Sequence, residues 1–312
     1  MPLRRLTPRS SPKGYNGSGP FAMIGFVNAF KPAGPTCAQI VARLRRIYGL
    51  YSRDRKIAVG HLGTLDPQAA GVLPIAIGKA TRLIPLLTDQ RKSYACTLVL
   101  GRSTRSADAH GETIEVAPVP QDWPSRLAAA LPQFIGRIEQ IPPMFSAVHH
   151  EGRRLYELAR DGKTVDRKPR TAVIYGITVL GVEGGLARLR VACAEGTYVR
   201  TLCEDIGAAM GLPAHMGALV REASGPFVLY ESRTLEQIAD EPREALIAPE
   251  HIIPFPTIVL DLRGSADFRA GRAVALPAGA PAKVVFVRDE SRTLVGVGET
   301  HGALLAPRKV FV

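Results

Sequence analysis

The stretch GHLGTLDPQAAGVLP, Gly60 to Pro74, holds one acid, Asp66, and no second acid, cysteine or lysine. A lone carboxylate has three chemical uses: general base, metal ligand or covalent nucleophile. No neighbouring cluster of Asp, Glu or His offers a metal site, which weakens the second use. A nucleophile must be ionised, and a nearby cation helps by lowering its pKa. Arg200 in GTYVRT is a candidate for that cation, but the spacing alone does not bring it to Asp66. Pro67 pushes the residue before it towards extended backbone. Gly60 and Gly63 can take positive φ or admit another backbone closely. Together these features present one carboxylate from a rigid turn at the edge of a core. The same residues also suit a structural aspartate capping a helix that begins at Pro67, so the spacing leaves both roles open.

The elements that must hold this turn follow from periodicity. GFVNAFKPAGPTCAQIVARLRRIYG reads as strand, turn and helix, with Thr36 as N-cap and an apolar stripe of Ile40, Val41, Leu44, Ile47 and Tyr48. The Gly78-Lys79 pair is not a phosphate loop: six residues separate Gly71 from Gly78, and Ala80 follows the lysine. SYACTLVLG, from Ser93 to Gly101, is a strand, and residues 123–135 form a helix interrupted near Pro132. A helix is expected over about 153–161, inside a basic segment of Arg153, Arg154, Arg160, Lys163, Arg167, Lys168 and Arg170 with Tyr156 among them. Such a segment suits either a solvated helix and loop or an RNA-contacting finger. TAVIYGITVLGVEGGLARLRVAC is a β-hairpin turning at Glu183-Gly184-Gly185, with Ala187, Leu189, Val191 and Cys193 on one face and Arg188 and Arg190 on the other. A helix opens at about Thr197 and stops at Gly211, and HMGALVREASGPF continues into a strand. Residues 233–253 read as helix and linker. From Ile258 the segments are short, rich in Val, Ala and Gly, and divided by turn signals, which suits a small β-barrel. The domain boundary falls near residue 254.

The chain has 312 residues, 46% hydrophobic and 22% charged, ordinary for a globular protein with a sizeable core. No apolar run reaches the ~18 residues of a membrane span. Forty Lys and Arg against 28 Asp and Glu give a net charge of +12, which suggests a polyanionic partner. Cys37, Cys96, Cys193 and Cys203 form no C-x-x-C pair and have no zinc-finger histidines, so four reduced thiols in the cytoplasm are expected. Residues 1–20 carry basic residues, Pro, Gly and Ser without an acid and read as a disordered arm. Their Arg4-Arg5 pair is too far from the apolar stretch at Phe21 to act as a twin-arginine signal.

GHLGTLDPQAAGVLPIAIGKATR closely resembles the signature of the TruB family of pseudouridine synthases, the bacterial enzymes of position 55 in tRNA. RKSYACTLVLG, IEQIPPMFSAVHHEGRRLYELAR, GTYVRTL, AHMGALVR and LVGVGETHGALLAPRKVFV resemble further family segments in the same order, so the likeness runs from about Phe21 to Val312. It implies an α+β pseudouridine synthase fold: a central, mostly antiparallel sheet flanked by helices, plus a small C-terminal PUA-like β-barrel. The catalytic domain would span 21–253, with an RNA-contacting insertion at about 141–170, and the PUA-like RNA-binding domain 254–312. The implied reaction converts uridine 55 of the tRNA T loop to pseudouridine without cofactor or metal. The base is flipped and its glycosidic bond is cleaved and re-formed under the control of Asp66, through attack at C1′, attack at C6 or a glycal route.

The resemblance further implies substrate-binding roles, one by one. Tyr94 stacks on the flipped base. Tyr198 lies beside the target base and assists proton removal. Arg200 pairs with the catalytic acid. Leu219 lines the base pocket, and His61 occupies space near the vacated stack. Lys31 lies in FKPAG, where the family usually has DKP, and Thr36-Cys37 replaces the usual Thr-Ser, which puts the contribution of Lys31 in doubt. A monomer that binds the T arm without a membrane or an obligate protein partner is the family expectation, with assistance to tRNA folding as a possible second role. Three rivals stand beside it. One is an RNA-binding protein whose catalysis is secondary, which the set Asp66, Tyr94, Tyr198 and Arg200 disfavours. Another is an aspartyl-nucleophile enzyme such as a phosphatase, disfavoured by the lack of metal-binding acids. The third is a guide-RNA enzyme of archaea or eukaryotes, disfavoured by the absence of a long Lys-rich tail.

Overall fold

The computed structural model describes residues 23–49, 57–146, 148–276 and 283–311; the N-terminal arm, residues 1–20, lies outside them. The chain begins with β1 (Gly25–Lys31), α1 (Cys37–Ile47), β2 (Val59–His61) and β3 (Ala70–Ile77). A 3₁₀ segment over Gly78–Leu86 leads to β4 (Lys92–Leu100), the ribbon β5 (Arg102–Thr104) and β6 (Thr113–Val116), and α2 (Trp123–Ala130). Pro132 ends α2 as expected, in a 3₁₀ turn over Leu131–Phe134 before β7 (Gly136–Gln140).

The basic segment differs from its sequence reading. His149–His150 (β8) pairs with Arg153–Arg154 (β9) across Glu151 and Gly152, both at positive φ, and only then does α3 (Leu155–Arg160) begin. The Glu-Gly pair supplies a tight hairpin turn, so the two arginines belong to a ribbon rather than to the helix. Next come β10 (Arg170–Glu183), β11 (Leu186–Cys193), α4 (Val199–Ala209) and β12 (Ala214–Ser224). The chain continues through β13 (Phe227–Val228), α5 (Leu235–Asp240), α6 (Pro249–Ile252), β14 (Thr257–Leu260), α7 (Leu262–Arg269), β15 (Val274–Ala275), β16 (Val284–Asp289), β17 (Leu294–His301) and β18 (Leu304–Val310).

The main sheet runs β1-β3-β12-β4-β11-β10-β7, with β2 against β3 and β13 against β12. Its pairings are antiparallel apart from a short parallel contact in which Val220 and Arg221 of β12 meet Ala70 and Gly71 of β3. The strand alternation is realised on β11: Ala187, Leu189, Val191 and Cys193 are buried, and Arg188 and Arg190 are exposed. Helices α1, α2, α4 and α5 cover this face, and their Ile40, Leu44, Leu127, Leu202, Ile206 and Ile238 meet the sheet in one core. A second sheet runs β14-β16-β17-β18-β15, curled around Phe268 of α7. Helix α7 was hidden from the sequence by its weak apolar stripe. It is capped by Asp261, whose carboxylate accepts from Gly264 N at 2.7 Å. No helix among the described residues is long and apolar enough to cross a membrane. All four cysteines are buried free thiols.

Candidate active site

Asp66 sits in the connection between β2 and β3, and the backbone of that connection is held nearly atom by atom. No helix begins at Pro67. Pro67 and Gln68 form a turn closed by Ala69 N donating to Asp66 O at 3.1 Å, and β3 starts at Ala70. The capping role is therefore excluded. Gly63 takes φ +98°, as its freedom predicted. Gly60 has ordinary φ, and a Cβ there would meet only a methyl at 4.0 Å. Gly71 is the more demanding glycine: it has φ +114°, and a Cβ would lie 2.3 Å from the carbonyl oxygen of Arg221.

Three buried side chains from other elements grip the loop. Lys31 at the end of β1 is fully buried and donates from Nζ to the carbonyls of Pro67 at 2.8 Å, Ala69 at 2.6 Å and Pro32 at 3.0 Å. Burial pulls its pKa down, while Cys37 and Asp66 pull it up. Cys37, the first residue of α1, donates Sγ–H to Leu65 O and accepts from Leu65 N, both at 3.2 Å. Burial pushes its thiol pKa up, which keeps it a neutral donor. Arg221 of β12 donates from Nε to Val72 O at 2.8 Å, from Nη1 to Thr64 O at 3.3 Å and from Nη2 to Gly63 O at 3.1 Å. Gly34 N adds a bond to Pro67 O at 2.8 Å. Buried carbonyls paired in this way fix the course of the chain, so Asp66 projects from a loop that cannot easily shift.

The Asp66 carboxylate meets Arg200, 130 and more residues later in the chain, with Nε 2.9 Å from Oδ2. Arg200 is 5% exposed and Asp66 31% exposed, so the cation is interior and the acid reaches the surface of the cleft. Burial pushes the Asp66 pKa up. Arg200 opposes this by charge and hydrogen bond, and Asp108 adds to it. The remaining nitrogens of Arg200 donate to Ser106 O at 3.2 Å and Phe145 O at 2.7 Å. The guanidinium thus ties the acid to the β5–β6 connection and to the start of the basic insertion. Asp108 is itself buried and accepts from Gln68 Nε2 at 2.6 Å, Ser106 Oγ at 2.7 Å and His110 N at 3.0 Å. Its link to Gln68 locks the turn two residues past Asp66.

The other residues singled out from the sequence border this loop. Tyr94 is buried on β4, cross-strand from Arg221, whose charge acts on its phenol. Burial raises its pKa, so the phenol stays protonated. Tyr198 is partly buried as the N-cap of α4. Gln140 fixes its backbone, accepting from Tyr198 N at 3.0 Å and donating to Tyr198 O at 3.2 Å. Leu219 is partly buried on β12, just past an irregularity in its pairing with β4, and packs on the main core. His61 ends β2 opposite Ile75. The direct side-chain contact is Asp66 with Arg200; the other four stand on the flanking elements.

Sequence reasoning missed Arg221 and Asp108 and undervalued Lys31. A cation at the end of an apolar strand without a nearby acid was the available signal for Lys31, whereas Glu222 beside Arg221 made that residue look like one half of an ordinary surface pair. Nothing local marked Asp108. Among the described residues no three His, Cys, Asp or Glu side chains come together as a metal-ligand set.

Residues 48–199 match the TruB family pseudouridylate synthase N-terminal domain, and residues 200–254 match the tRNA pseudouridylate synthase B C-terminal domain. The protein named tRNA pseudouridine synthase B of Stutzerimonas stutzeri is 38% identical over 92% of this chain and 95% of its own length. That of Heliobacterium modesticaldum is 40% identical over 94% and 97%. Among solved structures, a Cbf5-Nop10-Gar1 complex superposes with TM-score 0.64 at 29% identity, over 93% of this chain and 86% of that chain. The chain belongs to the TruB family of pseudouridylate synthases.

Proposed function

We propose that this protein converts the T-loop uridine at position 55 of tRNA to pseudouridine, with Asp66 as its essential acid. The observation that carries this is a lone carboxylate held on a clamped loop against the buried guanidinium of Arg200. The contact favours the ionised form that a nucleophile needs, while burial strips the carboxylate of stabilising water. The N1–C1′ bond breaks, the uracil turns within the pocket, and C5 bonds to C1′. The proton on C5 leaves and N1 takes one up, so the product is an isomer and no other reactant is consumed. Asp66 serves as the nucleophile at C1′ or C6, or assists a glycal route.

A base within a folded loop must be extruded to reach this acid. Tyr94 then stacks on it, a contact worth roughly 1–3 kcal/mol. Tyr198 receives or relays the C5 proton, Leu219 lines the pocket, and His61 fills the space near the vacated stack. Residues 21–253 form the catalytic domain, and residues 254–312 form a PUA-like module that adds a second RNA contact. A chain with a net charge of +12 supplies phosphate contacts along both. Four free thiols suit the cytoplasm, and the protein works as a monomer.

The test uses purified protein, a T-arm stem-loop transcript and no added metal or cofactor. Pseudouridine is read by chemical derivatisation and primer-extension stops. One stop at the T-loop uridine, lost with Asp66→Asn, is the expected result. A fully active Asp66→Asn protein would overturn the role of the acid, and RNA binding without any stop would overturn the reaction.

A further inference from the structure

Arg221 is 1% exposed, and its three guanidinium nitrogens all donate to main-chain carbonyls: Nε to Val72, Nη1 to Thr64 and Nη2 to Gly63. It has no carboxylate within salt-bridge distance among the described residues. Two further buried cations lie close enough to feel its charge, Lys31 and Lys92; Lys92 Nζ donates to Ser224 Oγ at 2.8 Å. A buried cation without a counter-ion is costly, and an apolar side chain would fill the same space at less expense. What an apolar side chain could not do is hold three separate carbonyls at once.

The position of the fork is fixed from behind as well. The Arg221 backbone pairs with Tyr94 on one side and Gly71 on the other, and the close approach at Gly71 leaves no room for a Cβ. One planar group thus joins the start of the catalytic loop, at Gly63 and Thr64, to its exit strand at Val72. Tyr94 is the cross-strand partner of Arg221 on β4, and its phenol feels the guanidinium charge.

We propose that Arg221 is a positioning residue of the reaction, which sets the Asp66 loop and the Tyr94 ring in their mutual geometry through one guanidinium fork. The proposal rests on the role given to Asp66 above. It reaches the reacting atoms only through the loop and the ring, so its signature is a loss of rate at saturating RNA with binding preserved. A displacement of about 1 Å at a reacting group can cost 10²-fold in rate. Lysine keeps the charge but has one nitrogen, which cannot reach acceptors that three separate nitrogens now serve.

The experiment measures single-turnover rate and Kd for the T-arm stem-loop, with thermal melts, for the parent, Arg221→Gln and Arg221→Lys. Both variants are expected to lose about 10²-fold in rate, with Kd within about 3-fold of the parent, and Lys is not expected to rescue Gln. Gly63→Ala tests the same fork from an acceptor, because a side chain at φ +98° strains the carbonyl that Nη2 holds. It should show the same split even if neither Arg221 variant folds. A folded variant with parental rate, or a loss that appears wholly in Kd, overturns the proposal. An inactive parent would instead overturn the reaction itself, whereas an active parent with unaffected variants overturns only the role of Arg221.

Discussion

The role proposed for Asp66 sets its ionised form against folding. Burial raises its pKa, Arg200 pulls it back, and Asp108 pushes the same way as burial, so the net direction is upward from the ordinary aspartate value. The sign follows from linkage. A carboxyl whose folded pKa exceeds its unfolded one contributes stability below the unfolded value, and that stability is lost as pH rises through the folded value. Asparagine imitates the protonated form at every pH. Asp66→Asn is therefore expected to match the parent in urea denaturation below the ordinary aspartate pKa and to exceed it at pH 8, the gap opening as pH rises through the folded pKa and staying constant above it. A variant that is less stable at pH 8 would show that the Arg200 pair outweighs burial. In the proposed mechanism Asp66 reacts ionised, so the acid limb of the parental pH–rate profile is expected above the ordinary aspartate pKa. In the sequence, a lone acid between glycines and a proline could be singled out, and its pairing with Arg200 could be anticipated only through family likeness. The clamps were not legible because the hydrogen bonds from Lys31 and Arg221 to the Asp66 loop and its exit strand go to carbonyls 36 to 158 residues away, and carbonyls leave no mark on residue type.

Helix α4 carries Arg200 in its first turn and two further acids one turn later. Burial lifts Glu204 to about 7 and Asp205 to about 6; Asp205 also pushes Glu204 up, while Arg200 and Arg167 pull it down. Both pKa values are raised, so their contribution to stability is full at low pH and is lost as pH rises through about 6 to 7. The parent is expected to lose stability between pH 5.5 and 8 on this account, and Glu204→Gln to gain on the order of 1 kcal/mol over it at pH 8 after allowance for partial solvation. Chemical denaturation at the two pH values checks this, and equal slopes for parent and variant would contradict it.

The helix itself was legible at both ends. The sequence start at about Thr197 lies within two residues of Val199, and Gly211 at φ +70° closes a Schellman-type end in which Leu212 N donates to Gly207 O at 2.9 Å. Thr36 likewise caps α1 in a full capping box with Gln39. Elements with a periodic apolar face and a capping residue were readable. The His149–Arg154 ribbon and α7 were not, because two-residue strands carry no periodicity and α7 buries only Ser265 and Phe268, too few to make an apolar stripe.

At the scale of the molecule, the boundary read near residue 254 separates two sheets that each have a core of their own and share a further apolar cluster. Phe26, Val72, Ala76 and Leu83 of the catalytic side pack in one cluster with Phe286, Leu294, Val297 and Phe311 of the small sheet. Phe255 packs against Phe286 with the rings tilted and their centroids 5.6 Å apart, and Arg82 Nη1 donates to Val310 O at 2.6 Å across the junction. A shared apolar cluster of this size couples the two sheets so that they melt together, whereas two cores joined only by a linker melt separately. Phe286→Ala removes a fully buried ring from that cluster and is expected to cost about 3–5 kcal/mol. Calorimetry should record a single transition that moves as a whole to lower temperature, together with loss of the buried environment around Phe26 on the catalytic side. Two transitions, with only the lower one shifted by Phe286→Ala, would show that the small sheet folds independently. In the coupled case, RNA that engages the small sheet acts on the same rigid body that holds Asp66, so binding there also protects the catalytic sheet against unfolding.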